Sequence, residues 1–299
     1  MVTSSHYPQI PAASHQTLGW LAVFFSGFCF YLATVIIRWA EPQVDIETSY
    51  FVFSRFLLGL MIVCATMLVK KQRFKPVRYH YLIGRTAGNT VAVFCFYKAI
   101  ETGSVAEANI LNMTYPLFVA IFSWFLIRQQ RDPLALLIVG VAFAGIGMIL
   151  SPGDISIERN NLWGLSSGIT AASAMIYLNI SRRYHDSQTI LLFMFGVGAL
   201  VIFLLFHKSI FWPDRQEFLF LLACSSVGVL GQYLLTFGFL YVTAVEGSII
   251  SSSRILLAAI LGPLLVADPA LTFSGWCGAL LIFAANTTLA MRKSRASRL

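Results

Sequence analysis

Ten apolar runs, most of them as long as a bilayer is thick, dominate this chain. They cover approximately 18–37, 48–69, 79–100, 105–127, 134–150, 162–180, 190–206, 218–241, 245–266 and 271–291. A hydrocarbon layer about 30 Å thick is crossed by about 20 residues of α-helix. Two runs, 134–150 and 190–206, are shorter, which calls for less tilt or for interfacial flanks. None alternates apolar with polar residues, so spanning β-strands are excluded. The chain is 58% hydrophobic and 11% charged, against about 25% charged residues in a soluble domain. The loops are too short for an attached soluble domain, and the expected fold is an all-α membrane protein with ten transmembrane helices.

The net charge of +8 invites a nucleic-acid partner, but its distribution argues otherwise. Lys70, Lys71, Arg73, Lys75 and Arg78 follow the second run, Arg128 and Arg131 the fourth, and Arg182 and Arg183 the sixth. Arg292, Lys293, Arg295 and Arg298 form the tail, whereas the odd-numbered loops hold only Arg38, Arg159, Lys208 and Arg215. Positive charge gathers on the cytoplasmic side, so both termini are expected there, as an even number of spans also requires. The basic tail, 292–299, reads as a topology signal and a contact for lipid headgroups, and no nucleic-acid partner is expected. Residues 1–16 lack a basic segment followed by a cleavage site and read as a cytoplasmic tail. Cys29, Cys64, Cys95, Cys224 and Cys277 all fall inside runs without metal-ligand spacing, which points to packing.

One stretch occurs twice. Ser104-Val105-Ala106-Glu107-Ala108-Asn109-Ile110-Leu111 recurs 139 residues later as Thr243-Ala244-Val245-Glu246-Gly247-Ser248-Ile249-Ile250. The same offset sets Tyr115 against Arg254, and Gly19-Trp20 at the head of run one loosely matches Trp163-Gly164 at the head of run six. Each unit holds five runs, 17–151 and 162–291. Five is odd, so the two units enter the membrane in opposite senses, as in carriers built from inverted repeats.

Around the repeat, Phe94-Cys95-Phe96-Tyr97-Lys98-Ala99, the turn Thr102-Gly103-Ser104-Val105-Ala106 and Tyr115-Pro116 resemble the EamA-type fold of the drug/metabolite transporter superfamily. Phe237-Gly238-Phe239-Leu240-Tyr241, Thr243-Ala244-Val245-Glu246-Gly247, Gly275 and Gly278 repeat the pattern. The resemblance spans nearly the whole chain. It implies two inverted five-helix repeats around a central cavity, a small organic metabolite as substrate, no cofactor and no enzymatic activity. It also implies peripheral fifth and tenth helices that could support a homodimer, while the compact loops favour a bacterial inner membrane over a eukaryotic organelle. Two departures stand out: the family often has Pro in both halves where this chain has Pro116 and then Ile255. It also often has Gly-Glu where this chain has Arg128-Gln129 and Ala267-Asp268.

Arg55 and Arg254 fall near the middle of runs two and nine. A cation at that depth costs a few kcal/mol and must face a cavity or a partner. Either it receives a substrate carboxylate or phosphate through a bidentate fork, or it locks helices together. No acid lies at mid-depth beside them, which favours an external anion such as an amino acid or a nucleoside-containing metabolite. The residues expected to join them are Asn112, Tyr115, Gln232 and Ser251, with Tyr97 and Trp124 as aromatic lining; packing is the alternative for each. Glu107 and Glu246 open runs four and nine, where a carboxylate caps a helix or couples transport to an ion. Pro116 and Pro263 are candidate hinges. The alternatives are an exporter of amines or drugs and a non-transporting scaffold or receptor.

Gly164-Leu165-Ser166-Ser167-Gly168 fits a serine nucleophile motif but lies within a run, not at a strand-to-helix elbow. His6, His15, His80, His185 and His207 all lie outside the membrane centre, so no base serves it there. Its Gly164 and Gly168 form a small-residue packing face instead.

Overall fold

A computed structural model describes residues 13–126, 133–150, 161–182, 184–238, 241, 244–266 and 269–296. Most of the expected N-terminal tail, residues 297–299, Arg128-Gln129, Ala267-Asp268 and the side chain of Glu246 lie outside the described residues, and α11 runs on through the first five residues of the expected tail 292–299. The helices are α1 Ala13–Ala40, α2 Thr48–Val69, α3 Tyr79–Thr102, α4 Val105–Asn112, α5 Tyr115–Leu126 and α6 Pro133–Leu150. They continue as α7 Asn161–Ser181, α8 Ser187–Phe206, α9 Arg215–Gly238, α10 Ala244–Leu265 and α11 Phe273–Ala296. No strand occurs among the described residues. Helices satisfy their own backbone groups, which is what a hydrocarbon solvent demands. Five segments are long and apolar enough to cross a membrane: Thr17–Ala40, Thr48–Val69, Val105–Phe122, Ser187–Ser209 and Arg215–Gly238.

The apolar run 105–127 is not one helix. It breaks at Met113-Thr114, between α4 and α5. Pro116 has no N–H, and its ring crowds the carbonyl four residues back, that of Asn112. The chain tightens there: Thr114 N donates to Leu111 O at 3.1 Å, and Leu117 N donates to Thr114 O at 2.9 Å. Two side chains occupy carbonyls at the break. Thr114 Oγ1 donates to Leu111 O at 2.6 Å, and Asn286 Nδ2 of α11 donates to Met113 O at 2.8 Å. The corresponding stretch of α10 carries Ile255 in place of the proline and runs unbroken; Pro263 sits in its last turn.

The remaining ends follow the sequence. Ser104 caps α4, its Oγ accepting from Glu107 N at 3.1 Å. Lys70 and Arg78 bracket the connection between α2 and α3.

The helices interlock throughout the molecule. α1 packs on α9 and α10, α3 on α7 and α8, and α2 on α8 and α9. α4 packs on α7 and α10, and α6 on α11. At the α6–α11 crossing the backbones nearly touch, since a Cβ on Gly278 would lie 2.5 Å from Gly145 O. One apolar core gathers Tyr31, Phe56, Tyr97, Ile100 and Phe195; a second gathers Leu111, Leu117, Ile146, Ile255 and Ile282. Large apolar side chains such as Leu68, Val69, Leu204 and Leu205 point outward, as a lipid-facing surface requires.

Loops are tied together at both ends of the bundle. Between α7 and α8, His185 Nε2 accepts from Val77 N at 3.1 Å and Arg78 N at 3.3 Å. The Arg78 guanidinium lies 4.3 Å from the centre of the Tyr184 ring. At the other end Ser209 donates to Glu47 at 2.6 Å, and the Tyr50 hydroxyl donates to Phe211 O at 2.7 Å.

Candidate functional site

A cavity of about 130 Å³ lies between α1, α2, α3, α7, α9 and α10 and the break after α4. Six of the residues expected at a site line it: Arg55, Asn112, Tyr115, Gln232, Ser251 and Arg254. Tyr97 reaches it indirectly, its hydroxyl accepting from Arg55 Nη1 at 3.0 Å. Trp124, on α5, is not among the lining residues. Glu107 stands in the first turn of α4, in the Ser104 cap. Pro116 adjoins the site at the break, one residue after Tyr115.

Arg55 and Arg254 retain 6% and 5% exposure. Both guanidinium groups flank one aromatic ring, with the Cζ atoms of Arg55 and Arg254 at 5.3 and 5.9 Å from the centre of Phe30. Arg254 also sits 5.3 Å from the Phe96 ring. Room for Arg55 comes from α9, where a Cβ on Gly228 would meet its Nε at 3.1 Å. Arg254 Nη2 donates to Asn112 Oδ1. Asn112 Nδ2 donates onward to Ser167 at 2.9 Å, and Ser167 donates to Gly164 O at 2.6 Å. Ser167, the neighbour of the motif's nucleophile position Ser166, therefore anchors an amide, and Gly168 lets α7 close on the break, where a Cβ would meet Leu111 O at 2.8 Å.

Arg85 of α3 is a third lining cation that the sequence reading passed over. It is 5% exposed. A signal was present: Arg85, Asn89, Ala92 and Phe96 fall at positions i, i+4, i+7 and i+11 of one helix, a single face, and all four line the cavity.

None of the three arginines has an acidic partner among the described residues. The ion pairs in reach of description, Arg38–Glu41 and Lys98–Glu101, lie elsewhere. The Nε atoms of Arg55, Arg85 and Arg254 are all buried without an acceptor. Two aromatic faces each for Arg55 and Arg254 together return about 1–4 kcal/mol against the roughly 2.5–3.5 kcal/mol that central placement of an arginine costs, and Arg85 makes no such contact among the described residues. Chemically, the cavity is a cationic, donor-rich chamber with apolar walls. Among the described residues no three His, Cys, Asp or Glu side chains gather as a metal site would need.

Residues 17–151 and 159–290 each match the EamA-like transporter family. The chain belongs to that family and is thus a transporter of the drug/metabolite superfamily and an integral membrane protein. An uncharacterized transporter of Helicobacter pylori strain J99 is 24% identical over 281 residues, covering 90% of this chain and 93% of that protein. The pseudopaline exporter CntI of Pseudomonas aeruginosa strain PAO1 is 24% identical over 228 residues, covering 76% of this chain and 80% of the exporter. A crystal structure sharing 19% identity superposes with a TM-score of 0.58 over 94% of this chain and 99% of the other; at that identity the likeness concerns the fold alone.

Proposed function

We propose that this transporter works by alternating access and carries a small organic metabolite with an anionic group, such as an amino acid or a nucleoside-containing metabolite. One observation carries the reading: buried arginines from different helices converge on one cavity with no carboxylate among the described residues to neutralise them. An anionic group of the substrate completes them, through charge-assisted forks of the kind arginine makes with carboxylate and phosphate.

The moving parts are two inverted five-helix halves, making ten spans, with α4 and α5 together forming the fourth. The packing supports this. An axis exchanging the halves pairs the α1–α9 contact with α3–α7, and α2–α9 with α3–α8. It maps α2–α8, α4–α10 and α6–α11 onto themselves. Asn112 and Ser251, related by the 139-residue offset, line the same cavity, as do Tyr115 and Arg254. In this reading both termini are cytoplasmic and the membrane is the bacterial inner one, which the bacterial relatives support. The partners are the substrate and lipid, without nucleic acid, and α6 with α11 offers a face for a homodimer. Export is the direction that the Pseudomonas relative's name supports. An amine or cationic drug would add positive charge to a cavity that already holds three cations, which disfavours that alternative.

The test pairs each candidate carboxylate or phosphate with a neutral analogue. Purified protein is heated with each member, and flux is measured in vesicles. A ligand at a hundred times its Kd adds about 2.7 kcal/mol of stability. Stabilisation and flux confined to the anionic members are expected. Stabilisation by amines instead, or the absence of flux for every anion, refutes the reading and leaves a drug carrier or a scaffold.

A further inference from the structure

The geometry points to a substrate with two anionic groups, one at each end of the cavity, joined by an apolar or planar middle. This rests on the anion-transport reading above and narrows it. Along α3 the cavity-facing stripe starts at Arg85 and ends at Phe96, whose ring lies beneath Arg254. Those eleven residues rise by about 16 Å, so Arg85 enters the cavity at a different depth from the Arg55–Arg254 pair. Its guanidinium makes no hydrogen bond or ion pair among the described residues, and its Nε is buried without an acceptor. Arg182, just beyond α7, lies within electrostatic reach and adds a second positive charge at that end.

Between the two cationic ends the walls change character. Asn89 is the polar group on the α3 stripe there; Ala92 and Val93 of α3 and Ala171, Ala174 and Met175 of α7 supply the rest. A single carboxylate bound at Phe30 leaves Arg85 uncompensated. A dianion satisfies both ends and lays its apolar middle along α3 and α7.

The experiment measures uptake into vesicles of α,ω-dicarboxylates of increasing length, and of their phosphonate counterparts. Each is compared with the monoanionic amide of the same length, in wild type, Arg85→Gln and Arg85→Lys. At the best length the dianion should show a KM lower than its monoanion's by about tenfold or more, the effect of one charge-assisted hydrogen bond. Arg85→Gln should erase that preference, raising the dianion's KM by about tenfold more than the monoanion's, and Arg85→Lys should keep part of it. If dianions gain nothing at any length, or if Arg85→Gln weakens both members equally, the inference is overturned. Should Arg85→Gln fail to fold, the wild-type ratio alone decides. Failure of every anion, single or double, would sink the broader reading. Transport of monoanions that depends on Arg254, with no gain for dianions, would sink only this one.

Discussion

Arg254→Gln should impair transport while leaving stability nearly unchanged. The substitution removes a charge from the interior while keeping an amide that can donate to Asn112 Oδ1, the present partner of Arg254. In the empty protein that charge has aromatic faces but no anion, with Nε unpartnered. Because a centrally placed arginine costs roughly 2.5–3.5 kcal/mol and its two cation–π contacts together return about 1–4 kcal/mol, the two nearly offset each other, and its removal should change the stability of the empty protein little. Substrate tells the other half. A hydrogen bond to a charged group contributes about 1.5–3 kcal/mol, so the KM for an anion should rise about 10- to 150-fold. The assay is the unfolding temperature without ligand, followed by anion uptake from vesicles holding equal amounts of folded protein. A mutant that melts earlier yet transports normally would refute the reasoning, because Arg254 would then be a helix lock and no part of the substrate site.

Two further outcomes follow from contacts away from the charges. Asn286→Leu strips the donor from Met113 O at 2.8 Å in a water-poor interior, so the protein should lose about 1–3 kcal/mol, read as a lower melting temperature in detergent. Gly278→Val places a Cβ where Gly145 O stands only 2.5 Å away; α6 and α11 must part, and the fraction of protein extracted as a folded species should fall sharply.

The sequence reading reached most of the cavity's polar lining because membrane burial makes polar residues conspicuous. Arg254, Arg55, Asn112, Gln232 and Ser251 stood out within apolar runs, and Tyr115 was found through its repeat partner. Arg85 did not stand out, for a physical reason. It lies seven residues beyond Arg78, and so soon after the cluster from Lys70 to Arg78 it blends into the basic flank of the run. Only the helical stripe it shares with Asn89 and Phe96 separates it from that flank. The break at Met113-Thr114 was invisible for a different reason. Hydropathy measures transfer of side chains and takes no account of which carbonyl loses its donor. Pro116 marked the place as a hinge candidate, but that Asn286 of a distant helix would occupy Met113 O depends on packing that no local pattern encodes. Trp124 was expected as aromatic lining, and it is not among the residues that line the cavity.

The shelter given to Arg55 has a consequence for how such a protein is made. Its aromatic neighbours Phe30 and Tyr97 belong to α1 and α3, but the gap beside its guanidinium is provided by Gly228 of α9. Asn112, likewise, waits in the first half for Arg254 from α10. Synthesis delivers the first half to the bilayer while these counterparts are still unmade, so its arginines stand for a time against lipid or trapped water, each at a cost of about 2.5–3.5 kcal/mol. Completion of the second half encloses Arg55 beside Gly228 and brings Arg254 to Asn112. The two family repeats are therefore bound by assembly: either one, produced alone, would lack contacts that enclose its own buried polar groups.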